Sequence, residues 1–135
     1  CGEAVVFPRG GMPRHFLTHA KQHGALLAKG RLLGVQFDTL FTDGLYGEVG
    51  RHAIAMADEL RRILREAGCT FFRESPTNQQ FVVLDNAQVE ALAERVRFST
   101  WEKLGDGRTV IRLVTSWSTT PDDLAALKAA LHDVM

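Results

Sequence analysis

The sequence has no surplus of charge of either sign, because its 16 lysine and arginine residues balance its 16 aspartate and glutamate residues. A basic surplus is typical of proteins that bind nucleic acid or anionic membranes, so we expect neither partner. No apolar run reaches the ~18 residues that a membrane-spanning helix needs, and no leading segment has the pattern of a secretory signal. The composition is typical of a globular protein.

Cysteine is also scarce. Cys1 and Cys69 are the only two, and they form neither a CxxC pair nor a disulfide framework. We therefore expect a reducing, cytoplasmic location. Neither cysteine has a recognisable catalytic setting, and free cysteines mostly behave as small buried apolar residues. The sequence also lacks the GxSxG, HExxH and GxGxxG motifs of serine hydrolases, zinc proteases and dinucleotide-binding enzymes.

Hydrophobic residues make up 45% of the 135 positions, which is enough for the core of one domain or of a large piece of one. Residues 3–7 predict a buried strand with no turn before it, so the chain is expected to begin inside a sheet. Residues 14–41 have a helical pattern that two glycines divide. A long amphipathic helix is predicted next, with Asp43 as its N-cap and Gly68 just after its end.

Strands and helices alternate beyond Gly68. The pattern predicts strands at 70–72, 80–84, 98–104 and 109–115, and helices at 88–96 and from 121 onward. An Asp-Gly pair between the last two strands predicts an antiparallel hairpin. Residues 44–135 are therefore expected to form an α+β layer around a small, largely antiparallel sheet, while 1–43 form a separate piece.

Arg112 is the sharpest anomaly in the sequence, because it interrupts the apolar strand Thr109–Val114. A buried charge without a counterion is costly, so this guanidinium must meet an anion or stack on a ring. One interpretation is structural: an ion pair with Glu102 on the neighbouring strand, or stacking on Trp101. The other is a two-pronged contact with the carboxylate of a ligand, which the planar guanidinium suits.

Two other groups of side chains could carry chemistry. His15, His19 and His23 are spaced four apart, so one helix face could present them to a metal; no carboxylate or cysteine joins them at ligand spacing, which favours an exposed polar stripe and no metal site. Lys21, Lys29 and Arg31 lie beside glycines and could hold a phosphate, although their spacing is not that of a phosphate loop. On the long helix, Asp58 and Arg62 are four apart and are expected to pair.

Four stretches together resemble the C-terminal region of the threonine aldolase and β-eliminating lyase family. The stretches, in order along the chain, are Lys29–Phe37, Asp43–Tyr46, Ser75–Phe81, and Trp101–Lys103 with Val110–Trp117. Each is weak alone, but their joint order and spacing cover nearly the whole sequence. The resemblance implies an aspartate-aminotransferase-type fold, in which 44–135 form the small C-terminal domain and 1–43 are the end of the large domain that holds pyridoxal phosphate.

The same resemblance implies roles for particular residues. The family's matching arginine binds the α-carboxylate of an amino-acid substrate, which gives this role to Arg112. Lys21, Lys29 or Arg31 is implied to approach the phosphate of pyridoxal phosphate. The lysine that carries the cofactor in relatives matches no residue here, so no catalytic residue is expected in this segment and the chain alone is expected to be inactive.

The implied reaction of the complete protein is the cleavage of a β-hydroxy-α-amino acid such as threonine to glycine and an aldehyde. The implied assembly is a homodimer or homotetramer that includes the missing N-terminal part. Two alternatives stay open at this stage. One is a β-eliminating or phenylserine-cleaving lyase, and the other is a non-catalytic interaction module with the same small-domain fold.

Overall fold

The computed structural model describes residues 3–135, so Cys1 lies outside the described residues. The chain divides into two compact units, the first ending at Tyr46 and the second running from Gly47 to Met135. The first unit contains helices α1 (Phe16–Gln22) and α2 (Arg31–Phe41). The second contains most of helix α3 (Leu45–Glu66) and all later elements. These are β1 (Thr70–Arg73), β2 (Gln79–Asp85), α4 (Asn86–Ala93), β3 (Ser99–Lys103), β4 (Arg108–Val114) and α5 (Pro121–Val134).

The strand predicted at residues 3–7 is wrong, because this segment has no regular structure. A strand needs a neighbour to satisfy its backbone N–H and C=O groups, and in the described part of the chain every strand lies within 70–114. Val6 is instead 74% exposed. The helical pattern of 14–41 also breaks, because Gly24 takes a positive φ of 71° after α1.

The ends of helix α3 show one wrong and one correct prediction. Asp43 is not the N-cap, since its φ of 51° places it in a left-handed turn with Gly44. The other end stops at Gly68, whose φ is 77°. There the amide of Gly68 donates to the carbonyl of Arg65, and the amide of Cys69 donates to the carbonyl of Leu64. These two bonds form a Schellman motif, which satisfies carbonyls that the helix end leaves free.

The second unit is built on one antiparallel sheet with the strand order β1-β2-β4-β3, which confirms the α+β class. The predicted hairpin is also confirmed, as β3 and β4 pair antiparallel. One face of the sheet packs on α3 and α5, and its core contains the following buried side chains: Leu60, Leu64, Val82, Leu84, Ile111, Leu113, Leu124 and Leu131. Because side chains alternate along a strand, the residues between these point to the opposite face.

Helix α5 begins as its sequence predicts. Thr120 accepts from the amide of Asp123 at 3.2 Å, the Asp123 carboxylate accepts from the amide of Thr120 at 2.8 Å, and Pro121 occupies the first helical position. The expected pair of Asp58 with Arg62 is wrong. Asp58 pairs with Arg61, whereas Arg62 lies between Glu59 and Glu66, since residues three apart on a helix are neighbours too.

No helix among residues 3–135 combines the length and the apolar composition that crossing a membrane requires.

Candidate anion-binding site

Four side chains form a row across the face of the sheet opposite to the helices. Arg73 of β1 is opposite Phe81 of β2, Phe81 is opposite Arg112 of β4, and Arg112 is opposite Ser99 of β3. Residues directly opposite each other in a ladder project to the same face. The backbone pairing therefore places both arginines and the phenyl ring on one surface of the second unit.

Among the described residues, the guanidinium of Arg112 has only neutral hydrogen-bond partners. Its Nη1 donates to Oε1 of Gln79 at 3.4 Å and its Nη2 donates to Oγ of Ser99 at 3.3 Å. Its central carbon lies 5.9 Å from the centre of the Trp101 ring. Its Nε is buried and has no hydrogen-bond partner. A half-buried cation with long contacts to neutral groups and one unmet donor has the hydrogen-bonding capacity to take an anion.

The two structural explanations of Arg112 fare differently. The ion pair with Glu102 is not formed among the described residues, although the bulge in β3 places Glu102 opposite Val110 and so on the face of Arg112. No salt bridge in the described part of the chain includes Arg112. The contact with Trp101 does exist. An aromatic face offsets only about 0.5–2 kcal/mol of the free-energy cost of desolvating a cation. The remaining cost favours binding of a carboxylate.

A turn between β1 and β2 holds the start of β2 in place. Ser75 Oγ and Thr77 Oγ1 are 2.9 Å apart and share a hydrogen bond. The Gln80 side chain, fully buried, donates to the carbonyl of Thr77 at 2.8 Å. Asn78 donates to the carbonyl of Thr115 at 2.7 Å. The polar residues of this stretch therefore pin a turn and a strand.

The hydrogen-bonded turn between β1 and β2 sets the position of Gln79, which follows it directly. Gln79 is the first residue of β2 and lies opposite Val114 of β4. This register brings its side-chain oxygen to Arg112. The turn thus fixes one of the two polar groups that orient the guanidinium. The sequence alone did not indicate this contact, because Gln79 stands far from Arg112 along the chain.

Arg73 and Phe81 also lie on this surface beside Arg112, and the sequence alone indicated neither position. The guanidinium carbon of Arg73 lies 4.2 Å from the centre of the Phe81 ring and 5.2 Å from that of Trp101. The Phe81 and Trp101 rings meet edge to face at 4.9 Å. The only signal in the sequence was the alternation of side chains along each strand. It gives the face of Phe81 within β2 and of Arg112 within β4, but the two residues share a surface only if these strands are paired.

The three basic residues considered for a phosphate lie in the first unit. Lys21 is in α1, Arg31 is the first residue of α2, and Lys29 precedes the helix N-cap, Gly30. All three are exposed. No ion pair among the described residues involves them. Their charge and the free amides at the start of α2 suit a phosphate chemically.

The structure does not bring the three histidines onto one face of a helix. His15 precedes α1 with a left-handed φ of 62°, and the helix ends at Gln22, before His23. The three side chains therefore do not share one helix face. Across residues 3–135 no group of three or more metal-ligating side chains comes together. Cys69 is buried, and burial raises the pKa of its thiol, which makes it a poor nucleophile.

Comparison with protein-family models gave no match, and neither did comparison with curated protein sequences. Solved structures do match. Threonine aldolase from Leishmania major is 36% identical over 90% of this chain, with a TM-score of 0.83, and the match spans 35% of that protein.

Two further structures share the fold at lower identity. Glycine decarboxylase of the glycine cleavage system, in an inhibitor-bound form, is 23% identical over 90% of this chain and 30% of its own, with a TM-score of 0.61. Serine palmitoyltransferase from Sphingomonas wittichii is 17% identical over 62% of this chain and 23% of its own, with a TM-score of 0.53. At these identities the likeness concerns the fold alone.

The chain spans about a third of the aldolase and no more than that of the other two proteins. The α+β fold and the resemblance drawn from the sequence are both confirmed by these matches. In sequence and in fold, the chain matches the C-terminal region of a threonine aldolase-like protein with fold type I of pyridoxal-phosphate enzymes.

Proposed function

We propose that this chain is the substrate-carboxylate-binding part of a pyridoxal-phosphate-dependent lyase, which cleaves β-hydroxy-α-amino acids such as threonine to glycine and an aldehyde. One observation carries the proposal: the half-buried guanidinium of Arg112 has neutral partners only and an unmet Nε. An α-carboxylate supplies the missing anion, and its two oxygens match the guanidinium fork. The 36% identity to a threonine aldolase supports the reaction class.

Arg112 acts in this scheme by orientation. A two-pronged contact fixes the plane of the carboxylate and therefore the rotation about the substrate's Cα, so that the Cα–Cβ bond is held ready for cleavage. Gln79 and Ser99 hold the guanidinium in the plane that makes this possible. The bound cofactor supplies the electron sink for the broken bond. The chain itself contributes no proton-transfer group at Arg112, since guanidinium stays charged.

The cofactor's phosphate is assigned to the exposed basic residues of the first unit, Lys21, Lys29 and Arg31. Their charge and the start of helix α2 fit an anion, and the described residues give them no competing carboxylate. Attachment of the cofactor needs a reactive lysine, and none of these positions matches the family's attachment site. We therefore expect the 135-residue chain alone to bind no cofactor covalently and to cleave nothing.

Residues 1–43 are proposed to belong to the large domain of the complete protein, and the second unit to its small domain. Helices α1 and α2 bury no residue, and Leu27, Leu32, Val35 and Phe41 are all at least half exposed. Such apolar surface is usually covered by other protein. A homodimer or homotetramer in the cytoplasm is the proposed state of the complete protein.

The reaction is tested by assaying the complete protein with threonine, phenylserine and serine, with the 135-residue chain assayed beside it. We expect aldehyde and an equal amount of glycine from threonine, a yellow colour from bound cofactor, and no product from the chain alone. Pyruvate from serine without glycine from threonine would replace the proposal by β-elimination. Absence of colour and of every product would favour a non-catalytic module.

A further inference from the structure

A second arginine lies beside the proposed carboxylate site. Arg73 and Arg112 flank Phe81 in one row across the sheet, so their backbones are two strand spacings, about 10 Å, apart. Their guanidinium carbons lie 5.2 Å and 5.9 Å from the centre of the same Trp101 ring. Both charged groups therefore lie beside the same ring on one face of the second unit.

Within residues 3–135, Arg73 forms no salt bridge. The carboxylate next to it in sequence, Glu74, pairs with Arg65 at 3.3 Å. Glu102 projects from the same face of β3 but forms no salt bridge with Arg73 or Arg112 in the described part of the chain. The guanidinium of Arg73 rests on two rings, and contact with a ring face leaves the in-plane N–H groups free to donate.

The geometry points to a second carboxylate-binding residue: we propose that Arg73 binds an acid group on the substrate's side chain while Arg112 binds its α-carboxylate. The substrates of this site are then β-hydroxy-α-amino dicarboxylates, of which 3-hydroxyaspartate is the shortest. This inference rests on the proposed function and narrows its substrate class. Two guanidinium groups on one face, each with free donors, bind a substrate with two carboxylates more tightly than they bind threonine, which has only one.

The reaction balances without any further reactant. In 3-hydroxyaspartate the Cα–Cβ bond breaks, the β-hydroxyl loses its proton, and Cβ becomes the aldehyde carbon of glyoxylate. Cα keeps the electron pair and takes up one proton, which gives glycine. The two products contain all the atoms of the substrate.

The test compares 3-hydroxyaspartate with threonine on the complete protein and its Arg73→Gln variant. We expect kcat/KM for 3-hydroxyaspartate to exceed that for threonine in the parent and to fall about tenfold or more in the variant. The value for threonine should change less than about threefold. Arg65→Gln is the matched control, because Arg65 also stacks on a ring, Phe71, but has its own partner in Glu74.

Calorimetric titration gives a readout that does not depend on turnover. Succinate should bind the parent about tenfold more tightly than propionate, and Arg73→Gln should abolish this difference while leaving propionate binding unchanged. Equal losses for both substrates, or for both acids, would mean that Arg73 only supports the aromatic cluster and would overturn the inference. Arg73→Lys keeps the charge, and we expect its melting temperature to equal that of the parent. Threonine cleavage with no preference for the dicarboxylate refutes this inference alone, whereas no cleavage of either substrate refutes the proposed function.

Discussion

Gln79 and Arg112 meet through a single hydrogen bond, in which Nη1 of the arginine donates to the amide oxygen of the glutamine at 3.4 Å. The bond joins a residue at the start of β2 to a residue in the middle of β4. Its acceptor is neutral, so the arginine keeps its full charge for a ligand. Replacing that amide by a carboxylate would give the arginine an anionic partner within the protein.

Gln79→Glu should therefore inactivate the site without weakening the fold. The new carboxylate pairs with Arg112 and competes with the substrate's carboxylate, so we expect kcat/KM for threonine to fall about tenfold or more. The melting temperature should not decrease, because an isosteric ion pair replaces a long hydrogen bond. Gln88→Glu is the control, since Gln88 caps α4 by accepting from Asp85 and glutamate serves equally there. Unchanged activity of Gln79→Glu would show that no anion binds at Arg112.

The start of helix α5 predicts an acid-dependent loss of stability. Hydrogen bonds from the backbone amide and hydroxyl of Thr120 hold the pKa of Asp123 below its usual value. A lowered pKa in the folded state stabilises the fold above the unfolded pKa of about 3.9, and that contribution is lost as the pH falls through the folded pKa. Asp123→Asn should be less stable than the parent at pH 7, and the difference should shrink below about pH 4.

Urea unfolding of the two proteins at pH 7, 4 and 2.5 measures this difference. Asp122→Asn is the matched control, because Asp122 lies in the same first turn and shares any interaction with the helix dipole. A constant difference between Asp123→Asn and the parent at all three pH values would contradict the cap.

The exposed apolar residues of α2 predict that other protein covers this unit. Leu32 is 73% exposed, and neighbouring apolar side chains are exposed as well. In the complete protein we expect amide hydrogen exchange across 31–41 to be at least about tenfold slower than in the 135-residue chain, because docking suppresses local opening. The amides of β2 serve as an internal reference. Equal exchange rates in the two proteins would contradict the assignment of 1–43 to the large domain.

Much of the second unit follows from local pattern in the sequence. The Schellman end at Gly68, the cap at Thr120 and the hairpin between β3 and β4 each depend on residues close together in the chain. The same reasoning from local pattern gave a wrong prediction in the first unit. The apolar run of residues 3–7 favours a buried strand, but strands form only beside a partner, and the described residues contain none for this segment.

Of the residues at the candidate site, the sequence alone predicted only Arg112. Arg112 stands out because a charge interrupts an apolar strand. Its companions come from β1, β2 and β3, and which strands lie together depends on long-range pairing that no local pattern specifies. The bulge between Thr100 and Glu102 brings Glu102 onto the face of Arg112, yet no ion pair joins the two in the described part of the chain. The absence of a counterion is thus a property of the folded sheet.

The most direct test of the account is Arg112→Lys in the complete protein, with Arg108→Lys on the same strand as control. Lysine keeps the charge but loses the two-pronged geometry, and a charge-assisted contact of this kind is worth roughly 2–5 kcal/mol. We predict that kcat/KM for threonine falls about 30-fold or more, with cofactor binding and melting temperature nearly unchanged. Arg108, which pairs with Asp106, should tolerate the change. An Arg112→Lys protein that unfolds readily while its folded fraction stays fully active would contradict the carboxylate role.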